Sequence, residues 1–259
     1  MSVLAYRVGG ARFLFERNVM VYRRTWMIVF SGFFEPLLYL FSLGYGLKTF
    51  VGAVAIGGGR HVDYATFVAP GLLAAAAMNG AVYDSGNVFW KLRYSGVYET
   101  VLATPISPGD VALGESAWAL FRGLLYAFAF LIVAAALGLV HSFWAILALP
   151  AAFLIGFGFA GIGIAAATYM RSWQDFEIVQ LVTLPLFLFS ATFYPLSVYP
   201  DALQWVIQVT PLYRGVSLLR QLTTGAVDCR ALVDVAYLLA LGAFGVRLGG
   251  RRIRVLLLK

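Results

Sequence analysis

The polar stretch at residues 84–115, DSGNVFWKLRYSGVYETVLATPISPGDVALGE, separates two long apolar segments of the chain. It combines acidic, basic and turn-forming residues, which are sparse on either side of it. Its pattern predicts a short helix, a turn at Thr104 and Pro105, a turn over residues 108–110, and the start of another long helix. We therefore expect apolar helices arranged around this polar connection.

The composition of the whole chain is that of an integral membrane protein. Of its 259 residues, 61% are hydrophobic and 12% are charged, and the mean hydropathy is +0.84. Soluble domains carry about 25% charged residues. With about 20 apolar residues needed for each span, the length allows roughly six membrane helices. The sequence thus predicts an all-α integral membrane fold of six transmembrane helices in one domain, residues 1–259.

Cysteine, histidine and charge usage exclude several other classes. Cys229 is the single cysteine, and the two histidines, His61 and His141, lie far apart in the sequence. We therefore predict neither an intrachain disulfide nor a metal site. The net charge of +7 is more typical of the positive-inside bias of membrane proteins than of nucleic-acid binding. The arginine-rich start of the chain does not have the pattern of a cleavable signal peptide.

Residues 1–25 predict an amphipathic helix that lies in the headgroup layer. At about 100° per residue, one face is apolar and the other presents arginines to anionic lipid. The apolar face has Leu4, Val8, Ala11, Phe15, Val19 and Tyr22. The polar face has Arg12, Glu16, Arg17, Arg23 and Arg24, and it also receives Phe13 and Met20. A helix that covers a partner protein is compatible with the same pattern.

Six apolar segments are expected to be membrane spans. They are residues 26–47, 65–82 with an extension towards 89, 117–140, 143–170, 176–193 and 232–248. Asp84 and Asn87 indicate the end of the second span, and Arg122 is expected to extend from the third span to the headgroups. Small residues four apart, such as Gly161 and Ala165, favour close helix packing in the fourth span.

Residues 194–231 are too many for a tight turn and too apolar for a solvated loop. Two short helices are predicted there, over residues 201–209 and 212–222, and neither is long enough to span a bilayer. We expect them to form a re-entrant or interfacial hairpin at the outer surface, before the last span. The segment before the second span, residues 48–64, is expected to be a glycine-rich outer loop.

The distribution of lysine and arginine predicts the orientation. Fourteen of these residues fall on the side of both termini and of the 84–115 connection, against five on the other side. The positive-inside rule then places both termini in the cytoplasm. Arg214, Arg220 and Arg230 in the outer segment are the main exception. Pairing with lipid headgroups and contact with an anionic substrate would each explain them.

Several local sequences resemble ABC-2 type exporter permeases, in particular the nodulation-factor exporter permease and the daunorubicin-resistance permeases. The resemblance rests on EPLLYLF at residues 35–41, FVAPG at 67–71, LATP at 102–105 and FYPL at 193–196, with Tyr98 and Glu99 before the third of these. It extends over nearly the whole chain. Such permeases move lipid-linked saccharides, glycolipids or drugs across the plasma membrane of bacteria, which here would be the inner membrane.

The resemblance implies partners and site residues. It implies a second permease copy, expected to give a homodimer, and two copies of a cytoplasmic ABC ATPase that bind ATP and Mg²⁺. This chain has no phosphate-binding loop of its own and is not expected to be an enzyme or to bind a cofactor. ATPase coupling is assigned to Arg12, Arg17, Lys91, Arg93, Tyr98, Glu99, Thr104 and Pro105. A substrate path or gate is assigned to Glu35, Pro36, Tyr39, Met78, Pro185, Phe193 and Tyr194.

Glu35 leaves alternatives open. Beside Pro36, which removes a backbone hydrogen bond and kinks the helix, a carboxylate in the first span needs a partner, a proton or a wet cavity. Glu35 is either paired with a polar group on a neighbouring helix or exposed to the substrate path. If it titrates, a proton-coupled secondary transporter is the second hypothesis, although no inverted repeat is visible. A membrane-embedded enzyme is disfavoured, because no histidine–carboxylate cluster is evident.

Overall fold

A computed structural model describes residues 3–24, 27, 34–56 and 60–257. The helices are α1 (Val3–Arg24), α2 (Phe34–Tyr39), α3 (Lys48–Val51), α4 (Tyr64–Arg93), α5 (Val97–Leu102), α6 (Pro108–Ala136), α7 (Ala148–Tyr169), α8 (Asp175–Leu188), α9 (Asp201–Val209), α10 (Pro211–Thr224) and α11 (Arg230–Leu257). A π-helical turn, Leu40–Tyr45, follows α2, and 3-10 turns cover Phe143–Leu147 and Leu196–Val198.

The segment between α3 and α4 contains a small antiparallel ribbon in place of the predicted loop. Strand β1 (Ala53–Ala55) pairs with β2 (His61–Asp63), with Val54 opposite Val62. The glycines at residues 57–59, on which the loop prediction rested, lie outside the described residues. We call the end of the bundle that bears this ribbon the ribbon end, and the end that bears α5 the α5 end.

Helix α4 lies at the centre of the bundle. Its most apolar part is 94% buried, against 22% for α11. Helices α6, α7 and α10 pack around it, and its large side chains, such as Phe67, Leu72 and Met78, are buried. Because α11 and half of α6 keep their apolar side chains exposed, these are the surfaces that a bilayer must cover.

Four helical segments in the described part of the chain are long and apolar enough to cross a membrane. They are Tyr64–Arg93, Pro108–Ala136, Phe143–Tyr169 and Arg230–Leu256, which correspond to the predicted second, third, fourth and sixth spans. The predicted first span lies partly outside the described residues. Helix α8 has 14 residues, or about 21 Å of length, whereas the hydrocarbon core is about 30 Å thick. The count of six spans stays a prediction.

The polar stretch at residues 84–115 includes the ends of two helices as well as the segment between them. Helix α4 continues past Asp84 to Arg93, and α6 already begins at Pro108. A capping box starts α6, since the Asp110 amide donates to the Ser107 hydroxyl and the Ser107 amide donates to Asp110 Oδ2 at 2.9 Å. The segment between these two helices is residues 94–107. The short helix predicted within it is confirmed as α5.

Backbone contacts between helices fix the packing of the bundle. A methyl group on Gly161 of α7 would lie 2.7 Å from the carbonyl oxygen of Gly242 and 3.0 Å from the amide nitrogen of Val246 on α11. On α4, a methyl group on Gly80 would lie 2.6 Å from the Cα atom of Gly123 on α6. Only glycine allows such approach. The close packing predicted at Gly161 is confirmed.

The two short helices predicted before the last span are present as α9 and α10, with Thr210 between them. Helix α10 buries Leu212, Val216 and Leu219, which share one face at helical spacing, against α4 and α7. Its last turn lies at the ribbon end, where the His141 amide donates to the carbonyl oxygen of Thr223 at 3.1 Å. Whether this hairpin re-enters the membrane stays a prediction.

Candidate functional site

A buried ion pair joins α4 and α6. Arg122 Nη1 donates to Asp84 Oδ1 at 2.7 Å, and the two side chains are 5% and 3% exposed. Arg122 Nη2 also donates to the Tyr126 hydroxyl at 3.0 Å, and Asn87 Nδ2 donates to Asp84 Oδ1 at 2.9 Å. The predictions that Asp84 ends a helix and that Arg122 extends to the headgroups are wrong, because the two charges neutralise each other inside the bundle.

A second ion pair lies nearer to the α5 end. Lys91 Nζ on α4 is 2.8 Å from both carboxylate oxygens of Glu115 on α6, and the side chains are 12% and 2% exposed. Asn18 of α1 completes the group: its Nδ2 donates to Glu115 Oε2, and its Oδ1 accepts from Lys91, each at 3.1 Å. The helices α1, α4 and α6 therefore share one polar contact that keeps the Glu115 carboxylate satisfied.

The same network reaches the last turn of α1 through Tyr22. The Tyr22 hydroxyl accepts a hydrogen bond from Asn87 Nδ2 at 2.7 Å, and the Arg122 guanidinium lies 5.4 Å from the centre of its ring. Burial, followed by the nearby Asp84 carboxylate, raises the pKa of Tyr22 to about 12. Tyr22 therefore stays protonated at neutral pH and can donate its own proton within this group.

Helix α1 packs tightly on the first turns of α6. A methyl group on Gly114 would lie 2.7 Å from Leu14 Cβ, and one on Gly10 would lie 2.8 Å from Asp110 Cγ. Leu14 and Asn18 are buried. The helix is thus anchored to the bundle along the line of residues 10, 14 and 18, which share one face at a spacing of four residues.

The buried face of α1 differs from the predicted apolar face. Phe13 and Met20 are 64% and 68% exposed, and Val19 of the predicted apolar face is also exposed. Polar Asn18 is buried in their place, because its amide is needed between Lys91 and Glu115. The face that α1 turns toward the bundle is therefore not the apolar face that its periodicity predicts, and its position in the headgroup layer stays a prediction. The side chains of Leu4 and Val8 lie outside the described residues.

Tyr98 connects α5 to this network. Its ring is buried with Leu14 of α1 and Val111 of α6. Burial, followed by the Glu115 carboxylate, raises the pKa of the Tyr98 hydroxyl well above its ordinary value. That hydroxyl makes no hydrogen bond within the described part of the chain. A displacement of α5 would therefore be transmitted by the Tyr98 ring to α1 and α6.

The predicted coupling residues divide into three sets. Lys91 and Tyr98 are committed to the interior, as described above. Arg93 is exposed and donates to the Met170 carbonyl at 3.3 Å, and Arg17 is half-buried beside Asn18. The exposed remainder consists of Arg12, Glu99, Thr104 and Pro105. Arg12 pairs with Glu16 at 2.7 Å, whereas Glu99 has no ion pair among the described residues.

Three aromatic rings from the predicted substrate path and its neighbourhood meet between α2 and the end of α8. The Tyr39 ring lies 5.5 Å from that of Phe187 and 6.2 Å from that of Phe193, and the last two are 5.2 Å apart. Glu35, on an exposed part of α2, accepts a hydrogen bond from the Tyr83 hydroxyl of α4 at 3.3 Å. Two alternatives were open for Glu35. For the first, pairing with a polar group on a neighbouring helix, the structure contains a contact, namely this hydrogen bond from Tyr83.

The other predicted path residues do not share one surface. Met78 is buried in the centre of α4, and Pro36 is buried in the first turn of α2. Pro185 and Tyr194 are exposed. Within the described residues, no three His, Cys, Asp or Glu side chains are grouped so that they could hold a metal ion.

Asn18, Asp84, Glu115 and Arg122 were not among the predicted site residues. The sequence did contain a signal for them. A charged side chain inside an apolar helix has a high free-energy cost, so its presence indicates a role. Asp84 had been assigned to the end of the second span and Arg122 to the headgroup region, where charges need no buried partner. Their pairing partners are 38 and 24 residues apart in sequence, so only the packing of α4 on α6 reveals them.

The long apolar helices define a multi-pass membrane protein. The buried ion pairs and the packing of Tyr98 join the helices at its α5 end, α1 and α5, to the long helices α4 and α6. The ABC-2 type transporter family matches residues 11–223. Nodulation protein J of Rhizobium leguminosarum bv. trifolii is 32% identical over 229 residues, 86% of each chain. Nodulation protein J of R. leguminosarum bv. viciae is 30% identical over 230 residues, 87% of each chain.

The protein from Rhizobium meliloti strain 1021 with the same name is 29% identical over 216 residues, 82% of this chain and 80% of the relative. The chain therefore belongs to the ABC-2 type transporter family. Membership makes it a membrane subunit for transport and implies partnership with an ABC ATPase subunit.

Proposed function

We propose that this chain is the permease of an ATP-driven exporter that moves an amphipathic substrate out of the cytoplasm or the inner leaflet. The observation that supports this function is the family match over residues 11–223, with similar proteins called Nodulation protein J over most of both chains. The substrate class is a lipid-linked saccharide, a glycolipid or a drug, as the sequence resemblance implies.

In this proposal the α5 end is cytoplasmic and binds the ATPase. Glu99 stands exposed in the first turn of α5, next to the buried Tyr98. An ATPase that pushes on α5 would act through the Tyr98 ring on Glu115 and Lys91, which join α6 and α4. A rigid polar network of this kind transmits a displacement because its members have few alternative partners. Arg12, Thr104 and Pro105 lie on exposed parts of α1 and of the connection.

The proposal includes a second permease copy and two ATPase copies in a bacterial inner membrane, with both termini in the cytoplasm. Substrate would pass between the two permeases, beside Glu35 and the ring cluster of Tyr39 and Phe193. The exposed apolar side chains of α8, among them Leu181 and Val182, suit contact with lipid or with the second copy.

Copurification in mild detergent tests the mechanism class. We expect a P-loop ATPase to copurify with this chain in a fixed ratio, and export from inverted vesicles to require ATP. Export by an ATPase-free preparation under a proton gradient would contradict the proposal and would favour a secondary transporter that uses Glu35. Glu35→Gln separates the two mechanisms: under the proposed function it leaves ATPase copurification unchanged, whereas a secondary transporter that uses Glu35 would lose its proton-driven export.

A further inference from the structure

A polar cavity of about 580 Å³ lies at the ribbon end of the bundle, between α10 and the loop that follows it. Arg60, Arg220 and Arg230 line it, and Asp228 is the one acidic residue among its lining residues. Two positive charges are therefore in excess in this cavity. The Asp228 carboxylate accepts a hydrogen bond from the Cys229 amide at 2.6 Å, so part of its capacity is used.

Arg220 is held in a fixed orientation. Its Nη2 donates to the carbonyl oxygen of Ala191 at 2.7 Å and to that of Phe67 at 3.2 Å, and its guanidinium lies 3.9 Å above the centre of the Phe67 ring. Ala191 has a φ of 56°, a left-handed conformation that costs energy for a residue other than glycine. Arg220 is therefore held by backbone carbonyl groups of two separate segments, α4 and the residues that follow α8.

The charge of Arg220 has no carboxylate partner among the described residues. Its neighbour on α10, Arg214, is different, because Arg214 Nη1 donates to the buried Asp234 at 3.1 Å. Burial lowers the pKa of Arg220 to about 10, so the guanidinium still carries its charge at neutral pH. No hydrogen bond within the described part of the chain uses Arg220 Nη1, which leaves that donor for a ligand.

We propose that this cavity binds a phosphate group, either as free phosphate or as the headgroup of an anionic lipid. Arg220 and Arg230 lie on different elements, α10 and the first residue of α11, and the Tyr213 side chain lines the cavity beside them. Hydrogen-bond donors on several sides of the cavity suit a phosphate group, because its oxygens are arranged tetrahedrally. Arginine is the preferred partner for such a group. The inference does not depend on the direction or energy source of transport.

The test uses the full chain in detergent and in nanodiscs, with inorganic phosphate and phosphatidylglycerol as probes. Arg230→Gln removes an exposed charge that makes no hydrogen bond in the described structure, so the fold is retained. Arg220→Lys keeps the charge at the second position and loses the planar fork. Lys48→Gln is the control, because Lys48 belongs to the same end but pairs with Asp63 at 2.8 Å and does not line the cavity.

We expect Arg230→Gln and Arg220→Lys each to weaken phosphate or phosphatidylglycerol binding about tenfold, and Lys48→Gln to leave it unchanged. Displacement of bound phosphatidylglycerol by phosphate would show that both sources share the cavity. Retention of the lipid in phosphate would identify the headgroup as the ligand. The proposal is overturned if the wild type binds neither probe, if the two arginine variants bind like wild type, or if Lys48→Gln weakens binding equally.

Discussion

Arg122 on α6 and Asp84 on α4 face each other at 2.7 Å inside the bundle, and among the described residues neither makes a direct hydrogen bond to another charged side chain. One Asp84 carboxylate oxygen and the Nε atom of Arg122 remain buried without a hydrogen bond in the described structure. Each residue therefore depends on the other for its charge compensation. Removal of one partner leaves the other as an isolated buried charge, which is the costly case.

We predict that Arg122→Met lowers the stability of the folded chain by about 3–5 kcal/mol, because Asp84 then loses its cation. Thermal unfolding in detergent, followed by size-exclusion chromatography, measures this loss. The double variant Asp84→Asn with Arg122→Met is the matched control, since it removes both charges with only small changes in side-chain volume. We expect the double variant to recover most of the lost stability. Equal instability of the single and double variants would contradict the ion-pair explanation.

The sequence alone predicted the apolar helices, but it did not predict the ion pairs that join them. Four spans, the short helix α5 and the pair α9 and α10 follow from hydropathy and turn residues, which act locally along the chain. The buried pairs do not, because Asp84 and Lys91 find Arg122 and Glu115 only after α4 packs on α6. A charged residue near the end of an apolar run has the same local pattern whether it meets water or a partner.

The orientation of α1 shows the same limit. Helical periodicity placed Phe15 and Val19 on one apolar face, whereas the bundle buries Leu14 and Asn18. Close packing contributes to this choice, because a methyl group on Gly114 of α6 would lie 2.7 Å from Leu14 Cβ and 3.0 Å from the carbonyl oxygen of Ala11. Tertiary fit of this kind overrides a moderate amphipathic pattern. The aromatic contact of Tyr39 with Phe193 is likewise a product of packing, although both residues had been singled out by the resemblance.

Tyr98 gives a prediction that separates ring packing from hydroxyl chemistry. Because its hydroxyl is buried without a hydrogen bond in the described structure, Tyr98→Phe should leave stability unchanged within about 1 kcal/mol or raise it slightly. Tyr98→Ala should cost about 3–5 kcal/mol, since the ring fills the space between Leu14 and Val111. Hydrogen exchange of residues 97–102, compared with that of α7, measures the local release of α5.

The contact between α7 and α11 predicts a difference between two glycines of one helix. Gly161→Ala should destabilise the chain by about 1–3 kcal/mol, because the new methyl group would meet the backbone of Gly242 at 2.7 Å. Gly158→Ala is the control, with its nearest neighbour, Leu241 Cδ2, at an ordinary 3.5 Å. Thermal unfolding in detergent compares them. A Gly158→Ala variant as unstable as Gly161→Ala would refute the backbone contact.

The last prediction concerns Glu99, the exposed acidic residue of α5. Under the proposed function, Glu99→Arg should leave membrane insertion and the thermal stability of the permease unchanged, because Glu99 has no ion pair in the described structure. It should weaken binding of the partner ATPase about tenfold or more, since charge reversal at an interface turns attraction into repulsion. Copurification and the stimulation of ATP hydrolysis measure the effect.

The control for Glu99→Arg is Asp201→Arg, which reverses a charge in the first turn of α9 on the opposite side of the predicted topology. Both substitutions oppose the helix dipole to a similar degree, so a dipole effect alone would affect them alike. Loss of ATPase binding in Glu99→Arg but not in Asp201→Arg would support a coupling contact at α5. Normal ATPase binding and normal export by Glu99→Arg would remove Glu99 from the coupling surface and leave Arg12, Thr104 and Pro105 as the exposed candidates.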